Sequence, residues 1–112
     1  MTSEDFRRIA LSLPGATESA HMNHPDFRVN GKIFATLQYP DDEWAMVKLP
    51  PDRQAEFVEL HPKAFSPVKG AWGRQGATTV LLKAANEESV RGALMLASEN
   101  ASQKKPKKKL RR

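Results

Sequence analysis

The chain of 112 residues has the length of a single domain with its own core, and it contains no cysteine, which excludes disulfides, thiolate metal sites and cysteine nucleophiles. Its formal net charge is +5, but residues 104–112, KKPKKKLRR, hold seven of the 18 basic residues and no acid, which leaves 11 basic against 13 acidic residues in 1–103. Residues 1–103 therefore have a net charge of −2, and any nucleic-acid binding by them has to depend on local patches of basic residues.

The N-terminal residues predict an amphipathic helix. Thr2 followed three residues later by Asp5 resembles a capping box. The apolar side chains that follow recur with helical spacing at Phe6, Ile9, Ala10 and Leu13. Pro14-Gly15 is expected to end the helix, and a short extended segment is predicted over residues 18–22.

These first residues also bear on location. Charged residues appear before any long apolar run can form, which is not the pattern of a signal peptide. No segment approaches the roughly 18 apolar residues of a membrane span. We therefore expect a cytoplasmic protein that does not contact membranes. We also expect it to be a monomer.

Asn30-Gly31 is the strongest hairpin signal in the chain, because both residues tolerate the positive φ of a tight turn. A two-residue loop would split the apolar residues between the two faces of the hairpin. We therefore prefer a three-residue loop with a bulge, in which Phe27 pairs with Ile33. In this register the buried face continues through Ala35, Leu37 and Tyr39.

The same register places Arg28 directly opposite Lys32 on the outer face. Two like charges across a strand pair are mildly unfavourable, so something should compensate them. One interpretation is a solvated face on which Asp26 relieves the repulsion. The other is that an anion completes the pair, and nucleic-acid phosphate is the obvious candidate.

The second half of the chain predicts further elements. After the polar turn PDDE, a third strand is expected over Trp44 to Leu49, and Pro50-Pro51 favours a short middle helix that runs to about His61. Residues 65–76 are predicted to be a loop in which glycines make tight turns around Trp72. A buried strand is predicted over residues 78–83. Asn86 is expected to cap a last helix whose inward residues are Val90, Ala93, Leu94 and Ala97.

This order of elements predicts an α+β fold. The N- and C-terminal helices are expected to pack on one face of an antiparallel β-sheet, with the short middle helix beside it. We assign residues 1–99 to this domain. Residues 100–112 are polar and then wholly basic, so we predict a disordered C-terminal tail.

Several short motifs resemble the MmcQ/YjbR family over roughly residues 3–99. They are Leu13-Pro14-Gly15, Glu18, HPDFRVNGKIFA at 24–35, Lys48-Leu49, Trp72-Gly73, and Thr79-Val80 with Leu82. The resemblance implies a CyaY-like fold, similar to that of bacterial frataxin. Members are usually labelled DNA-binding proteins with a double-wing arrangement, and no catalytic residues come with the family. Within the central motif, we expect His24, Pro25, Phe27 and Gly31 to have structural roles.

The function predicted from these observations is non-catalytic binding of DNA or another nucleic acid. The hairpin supplies Arg28 and Lys32, and the glycine-rich loop supplies Lys69, Arg74 and Trp72. Trp72 either stacks on a base or covers the core. The tail adds sequence-independent affinity through Lys104, Lys105, Lys107, Lys108, Lys109, Arg111 and Arg112. The alternative is a small-molecule-binding or protein-interaction module that uses the same surface as a pocket.

Other chemistry has weaker support. His21 and His24 are only two ligands, whereas zinc prefers three or four, so we predict no metal and no cofactor. We expect His24 to form a local hydrogen bond that orients the hairpin. No serine lies in a GxSxG motif, and the acidic residues 41–43 are better explained as a solvated turn, so we expect no enzyme activity.

Overall fold

A computed structural model describes residues 1–103 as a six-stranded antiparallel sheet with helices. The strands are β1 (Thr17–His21), β2 (His24–Val29), β3 (Lys32–Leu37), β4 (Trp44–Lys48), β5 (Phe65–Pro67) and β6 (Ala77–Leu81). The helices are α1 (Ser3–Leu11), α2 (Pro51–Leu60), α3 (Ala71–Arg74) and α4 (Glu87–Ser102). The strand order is β1-β2-β3-β4-β6-β5, with antiparallel pairing throughout.

The core lies between one face of the sheet and the two terminal helices. Helix α4 packs on β2, β3 and β4, and α1 packs on α4 and β3. Side chains with no exposed surface meet in this layer, among them Phe6 of α1, Phe27 of β2 and Leu94 of α4. The predicted α+β architecture, with the N- and C-terminal helices on one face of the sheet, is therefore confirmed.

The capping signals read from the sequence act as predicted. The Thr2 side chain accepts a hydrogen bond from the Asp5 backbone N–H at 3.1 Å, and the Asp5 carboxylate accepts one from the Thr2 backbone N–H at 2.9 Å. At the start of α4, the Asn86 side chain accepts from the Ser89 backbone N–H at 2.7 Å. Each bond satisfies a backbone group that has no partner inside its helix.

The register predicted for the hairpin is wrong. Val29 pairs with Lys32 across a two-residue turn, in which Asn30 has φ 55° and Gly31 has φ 77°. Arg28 therefore lies opposite Ile33, and strand alternation directs Arg28 and Lys32 to opposite faces.

A bulge inside the strands, rather than in the loop, reconciles this turn with the apolar pattern. The register shifts between Phe27 and Arg28, so that Phe27 pairs with Ala35 and β3 has one extra residue, Phe34. Both Phe34 and Ala35 are fully buried in the core. The buried face then continues through Leu37, as predicted, but it stops before Tyr39 because Gln38 adopts φ 61° and ends the alternation.

Alanine at position 30 is expected to destabilise the protein by about 1 kcal/mol, because an L-residue with a Cβ is disfavoured at positive φ. Asparagine tolerates this conformation through local hydrogen bonds of its side chain. Urea unfolding of Asn30→Ala and Asn30→Gly measures the effect, and the glycine variant, which has no Cβ, is expected to stay close to the wild type. Equal losses in both variants would mean that backbone strain is not the cause.

Three further differences from the sequence expectations concern element boundaries. The predicted loop 65–76 contains the edge strand β5 and the short helix α3. The last strand ends at Leu81 and is followed by a 3-10 turn over Leu82–Ala84. Helix α4 continues to Ser102, so the domain boundary predicted at residue 99 falls inside a helix. Residues 104–112 lie outside the described residues, and the disorder expected there stays a prediction.

No helix within residues 1–103 has the length and apolar character needed to cross a bilayer.

Candidate nucleic-acid interface

The sheet face opposite α1 and α4 has a polar character. Its residues alternate with the core residues of the same strands, and they form a row of cross-strand neighbours at Asp26, Thr36, Met46, Thr79 and Ser66. We call this surface the polar face. Asp26 and Thr36 on it are buried.

A cleft of about 430 Å³ lies beside the hairpin turn, between β2, β3, β4 and the C-terminal part of α4. Three cations line this basic cleft, and each comes from a different strand: Arg28, Lys32 and Lys48. The opposite wall is formed by Ala97, Asn100 and Ala101 of α4. Arg28 and Lys32 therefore reach one cleft even though their strands direct them to opposite faces.

Arg28 has a built-in carboxylate partner. Its Nε donates to Asp26 Oδ1 at 2.8 Å and its terminal NH₂ donates to Asp26 Oδ2 at 3.0 Å. His21 Nδ1 lies 2.7 Å from the same Oδ2. The hydrogen bonds from Arg28, followed by that from His21, hold the pKa of the Asp26 carboxyl below its usual value of 3.8, against the opposing effect of burial. Asp26 thus compensates much of the charge of Arg28. This agrees with the interpretation in which Asp26, and not a bound anion, relieves the repulsion.

Lys32 and Lys48 are different, because neither forms an ion pair within residues 1–103. Lys32 is exposed at the end of the hairpin. Lys48 is half-buried, and its Nζ lies 6.0 Å from the centre of the Trp72 ring, at the outer limit of a cation–π contact. These two ammonium groups supply the uncompensated charge of the basic cleft.

An aromatic surface adjoins Lys48. Trp72 is 40% exposed and lies outside the hydrophobic core, so it does not act as the core lid that one interpretation proposed. Its ring meets Tyr39 edge to face, with centroids 5.7 Å apart, and Tyr39 meets His24 in the same way at 5.9 Å. Tyr39 is therefore on the polar face, where the predicted register did not place it.

Lys69 and Arg74 do not join the basic cleft. Lys69 lines a second cavity of about 450 Å³, which we call the apolar pocket, together with Tyr39, Pro40, Ser66, Pro67, Val68 and Thr79. Arg74 is exposed on α3 and lines neither cavity. The four cations predicted from the sequence are therefore distributed over three places, and Lys48 with Trp72 and Tyr39 connects two of them.

The prediction for His24 is wrong. Its Nδ1 is buried without a hydrogen-bond partner within residues 1–103, and His21 makes the local bond instead, to Asp26. The other motif residues are structural: Pro25 pairs with Ala20, Phe27 packs on Phe6 with ring centroids 6.1 Å apart, and Gly31 occupies the turn. No group of three potential metal ligands comes together in the described part of the chain.

The basic segment is attached beside this cleft. Asn30 Nδ2 in the hairpin turn donates to the Ser102 carbonyl at 3.4 Å, and Ser102 is the last residue of α4. The residues expected to contact nucleic acid from 104 onward lie outside the described residues. They follow Gln103, and Ser102 before it contacts the hairpin turn.

Lys48 and Tyr39 are the residues that the sequence reasoning missed as site candidates. The alternation of the third strand already grouped Lys48 with Trp44 and Met46 on one face, which was a usable signal. Its proximity to Lys32 and Trp72 depends on strand pairing and on the path of the glycine-rich loop, so no local pattern could have shown it.

The sheet order and the two helices on one face define a small α+β domain. The family model described as YjbR matches residues 11–97, and the chain belongs to this family, as the sequence motifs predicted. The crystal structure of Deinococcus radiodurans protein DR2400, with its DUF419 domain, has a similar fold, with a TM-score of 0.69 and 21% identity over 86% of this chain and 75% of that chain. None of the curated proteins compared with the chain matches it.

Proposed function

We propose that this YjbR-family protein is a non-catalytic, cytoplasmic protein that binds nucleic acid in its basic cleft. The observation that carries the proposal is the convergence of Arg28, Lys32 and Lys48 from three strands on one cleft, two of them without a carboxylate partner in residues 1–103. Phosphate oxygens are suitable partners for such groups. The seven basic residues of 104–112, attached beside the cleft, add affinity that does not depend on base sequence.

The distribution of ion pairs supports this location. Carboxylates within residues 1–103 pair with six of the basic side chains there, namely Arg7, Arg8, Arg28, Arg53, Lys83 and Arg91. The remaining five include Lys32 and Lys48 at the basic cleft and Lys69 at the apolar pocket. Although residues 1–103 have a net charge of −2, three of their five uncompensated cations therefore line the basic cleft or the apolar pocket.

The apolar pocket favours a second candidate function, a module that binds a small ligand. Its volume of about 450 Å³ lies in the range of ligand sites, and its lining combines apolar side chains with a few polar groups. If the full-length protein binds neither duplex nor single strand at low salt, the nucleic-acid proposal fails, and this second candidate becomes the one to pursue.

Lys32→Ala and Lys48→Ala are each expected to weaken binding to nucleic acid and to reduce the slope of log K against log salt by about 0.7 to 0.9, because each removes one phosphate contact. Fluorescence anisotropy at several salt concentrations measures both quantities. Lys63→Ala is the matched control: Lys63 is exposed, has no ion pair in residues 1–103 and lines neither cavity. Lys63→Ala should change affinity and salt slope only through the loss of one surface charge, and therefore less than Lys32→Ala or Lys48→Ala does.

A second variant separates the cleft from the basic segment. Replacing the seven basic residues of 104–112 by glutamine in the full-length protein is expected to lower the slope further while leaving the effect of Lys48→Ala in place. Loss of all binding in this variant, with no effect of the lysine substitutions in the wild-type background, would leave the basic segment as the binder and refute the role of the cleft.

A further inference from the structure

The basic cleft and the apolar pocket are joined by a continuous series of contacts. Lys48 lines the cleft and lies against Trp72. Trp72 contacts Tyr39, and Tyr39 lines the apolar pocket. Cations therefore stand at both ends of this path, Lys32 and Lys48 at the cleft and Lys69 at the pocket, with exposed aromatic surface between them.

The lining of the apolar pocket suits a flat group with an apolar face and a polar edge. Tyr39, Pro40, Pro67 and Val68 supply apolar walls. Thr79 Oγ1 donates to the Ser66 carbonyl at 3.0 Å, which leaves the lone pairs of this oxygen to accept a hydrogen bond. The Lys69 ammonium is the only charge on the lining and cannot be satisfied by the apolar walls. A nucleobase in the pocket with its phosphate at Lys69 meets each of these requirements.

Such a base has to be unpaired. In a duplex the bases are stacked inside and present only their edges in the grooves, so none can enter a pocket that lies next to phosphate-binding cations. A single strand leaves its bases free to stack on aromatic side chains while its backbone follows a series of cations.

We propose that the nucleic acid bound by this protein is single-stranded, with its backbone on Lys32, Lys48 and Lys69, its bases passing over Trp72, and one base inserted in the apolar pocket beside Tyr39. This inference rests on the proposed function and specifies its substrate class. It does not require base specificity, because the aromatic and apolar contacts are available to any base.

The experiment compares a fluorescein-labelled thymidine oligomer of about 12 nucleotides, its duplex with the complementary strand, and an oligomer of the same length with abasic sites. The full-length protein is expected to bind the thymidine strand about tenfold more tightly than the abasic strand, since stacking accounts for such differences. Ser66→Leu fills the pocket without changing charge, and it is expected to weaken binding of the thymidine strand about tenfold while leaving duplex and abasic binding unchanged. Tyr39→Ala is expected to act in the same direction.

Leu60→Ala is the control, because Leu60 is 72% exposed and lines neither cavity, and thermal unfolding checks that each variant is folded. The abasic comparison needs no variant, so it tests whether the bases contribute to binding even if Ser66→Leu does not fold. Equal binding of thymidine and abasic strands, or equal effects of Ser66→Leu on all three probes, overturns the inference while leaving nucleic-acid binding intact. Binding of thymidine monophosphate without binding of any oligomer overturns both proposals.

Discussion

Alanine at position 73 is expected to lower the free energy of unfolding by about 3 kcal/mol, because the structure leaves no room for a side chain there. A Cβ on Gly73 would lie 1.6 Å from the Val68 carbonyl oxygen and 2.6 Å from its carbonyl carbon. Both are backbone atoms and cannot move like the end of a flexible side chain. The Val68 backbone N–H donates to the Ala77 carbonyl at 2.9 Å, which ties the obstructing residue to β6.

Gly73 is also held by a hydrogen bond, since its carbonyl accepts from Gln54 Nε2 at 3.0 Å. Relief of the clash has to break one of these bonds or displace α3, which bears Trp72. Gly73→Ala is therefore also expected to weaken any binding that uses Trp72.

Gly92→Ala provides the matched control for this prediction. Here the same substitution introduces a Cβ in the middle of α4, where its nearest neighbour, Phe57 Cζ, is at an ordinary contact distance of 3.8 Å. Alanine is a better helix former than glycine, so the variant is expected to gain about 0.5–1 kcal/mol. Urea unfolding followed by far-UV circular dichroism measures both variants. A similar stability change in the two proteins would contradict the steric argument.

Asp26→Asn is expected to cost about 2 kcal/mol of stability and at the same time to steepen the salt dependence of nucleic-acid binding by about 0.7 to 0.9. Stability falls because the buried carboxylate accepts two hydrogen bonds from Arg28 and one from His21, and an amide cannot accept all of them. Binding becomes more salt-dependent because Arg28, which lines the basic cleft, loses the carboxylate that compensates its charge and becomes available to phosphate.

Asp42→Asn is the control for this prediction, because it removes the same charge from an exposed turn position that has no ion pair within residues 1–103. It should leave stability unchanged and alter the salt slope less than Asp26→Asn does. Equal slopes for the two variants would show that net charge, and not release of Arg28, is responsible.

The contribution of Asp26 to stability is also expected to depend on pH. Its pKa in the folded protein lies below the usual 3.8, so the unfolded chain binds a proton first as the pH falls. The stabilisation is therefore complete above about pH 5 and is lost as the pH falls through the lowered folded pKa. Urea unfolding of wild type and Asp26→Asn at a series of acid pH values is expected to show their difference shrinking in this range and constant above it.

Much of the fold could be predicted because its signals are local. The Thr2 capping box and the Asn86 cap each depend on residues a few positions apart, and both form as predicted. The Asn30-Gly31 turn lies where it was predicted, although its loop has two residues and not three. The motifs around the hairpin also identified the family that the comparisons confirm. The prediction of the pairing register was wrong because the apolar pattern requires one bulge but does not specify its position. The structure places the bulge between Phe27 and Arg28 and not in the loop.

By itself, then, the amino-acid sequence determined the three longer helices and the strands outside residues 65–76, and it determined that positive charge is concentrated in the last residues of an otherwise slightly acidic chain. Only the tertiary structure decided that Lys48 lines the same cleft as Arg28 and Lys32, and that Asp26 forms an ion pair with Arg28. It also decided that Trp72 and Tyr39 connect this cleft to the apolar pocket. The physical reason is that these contacts join residues distant in the chain through strand order and a bulge. Local conformational preferences act over a few residues and cannot specify them.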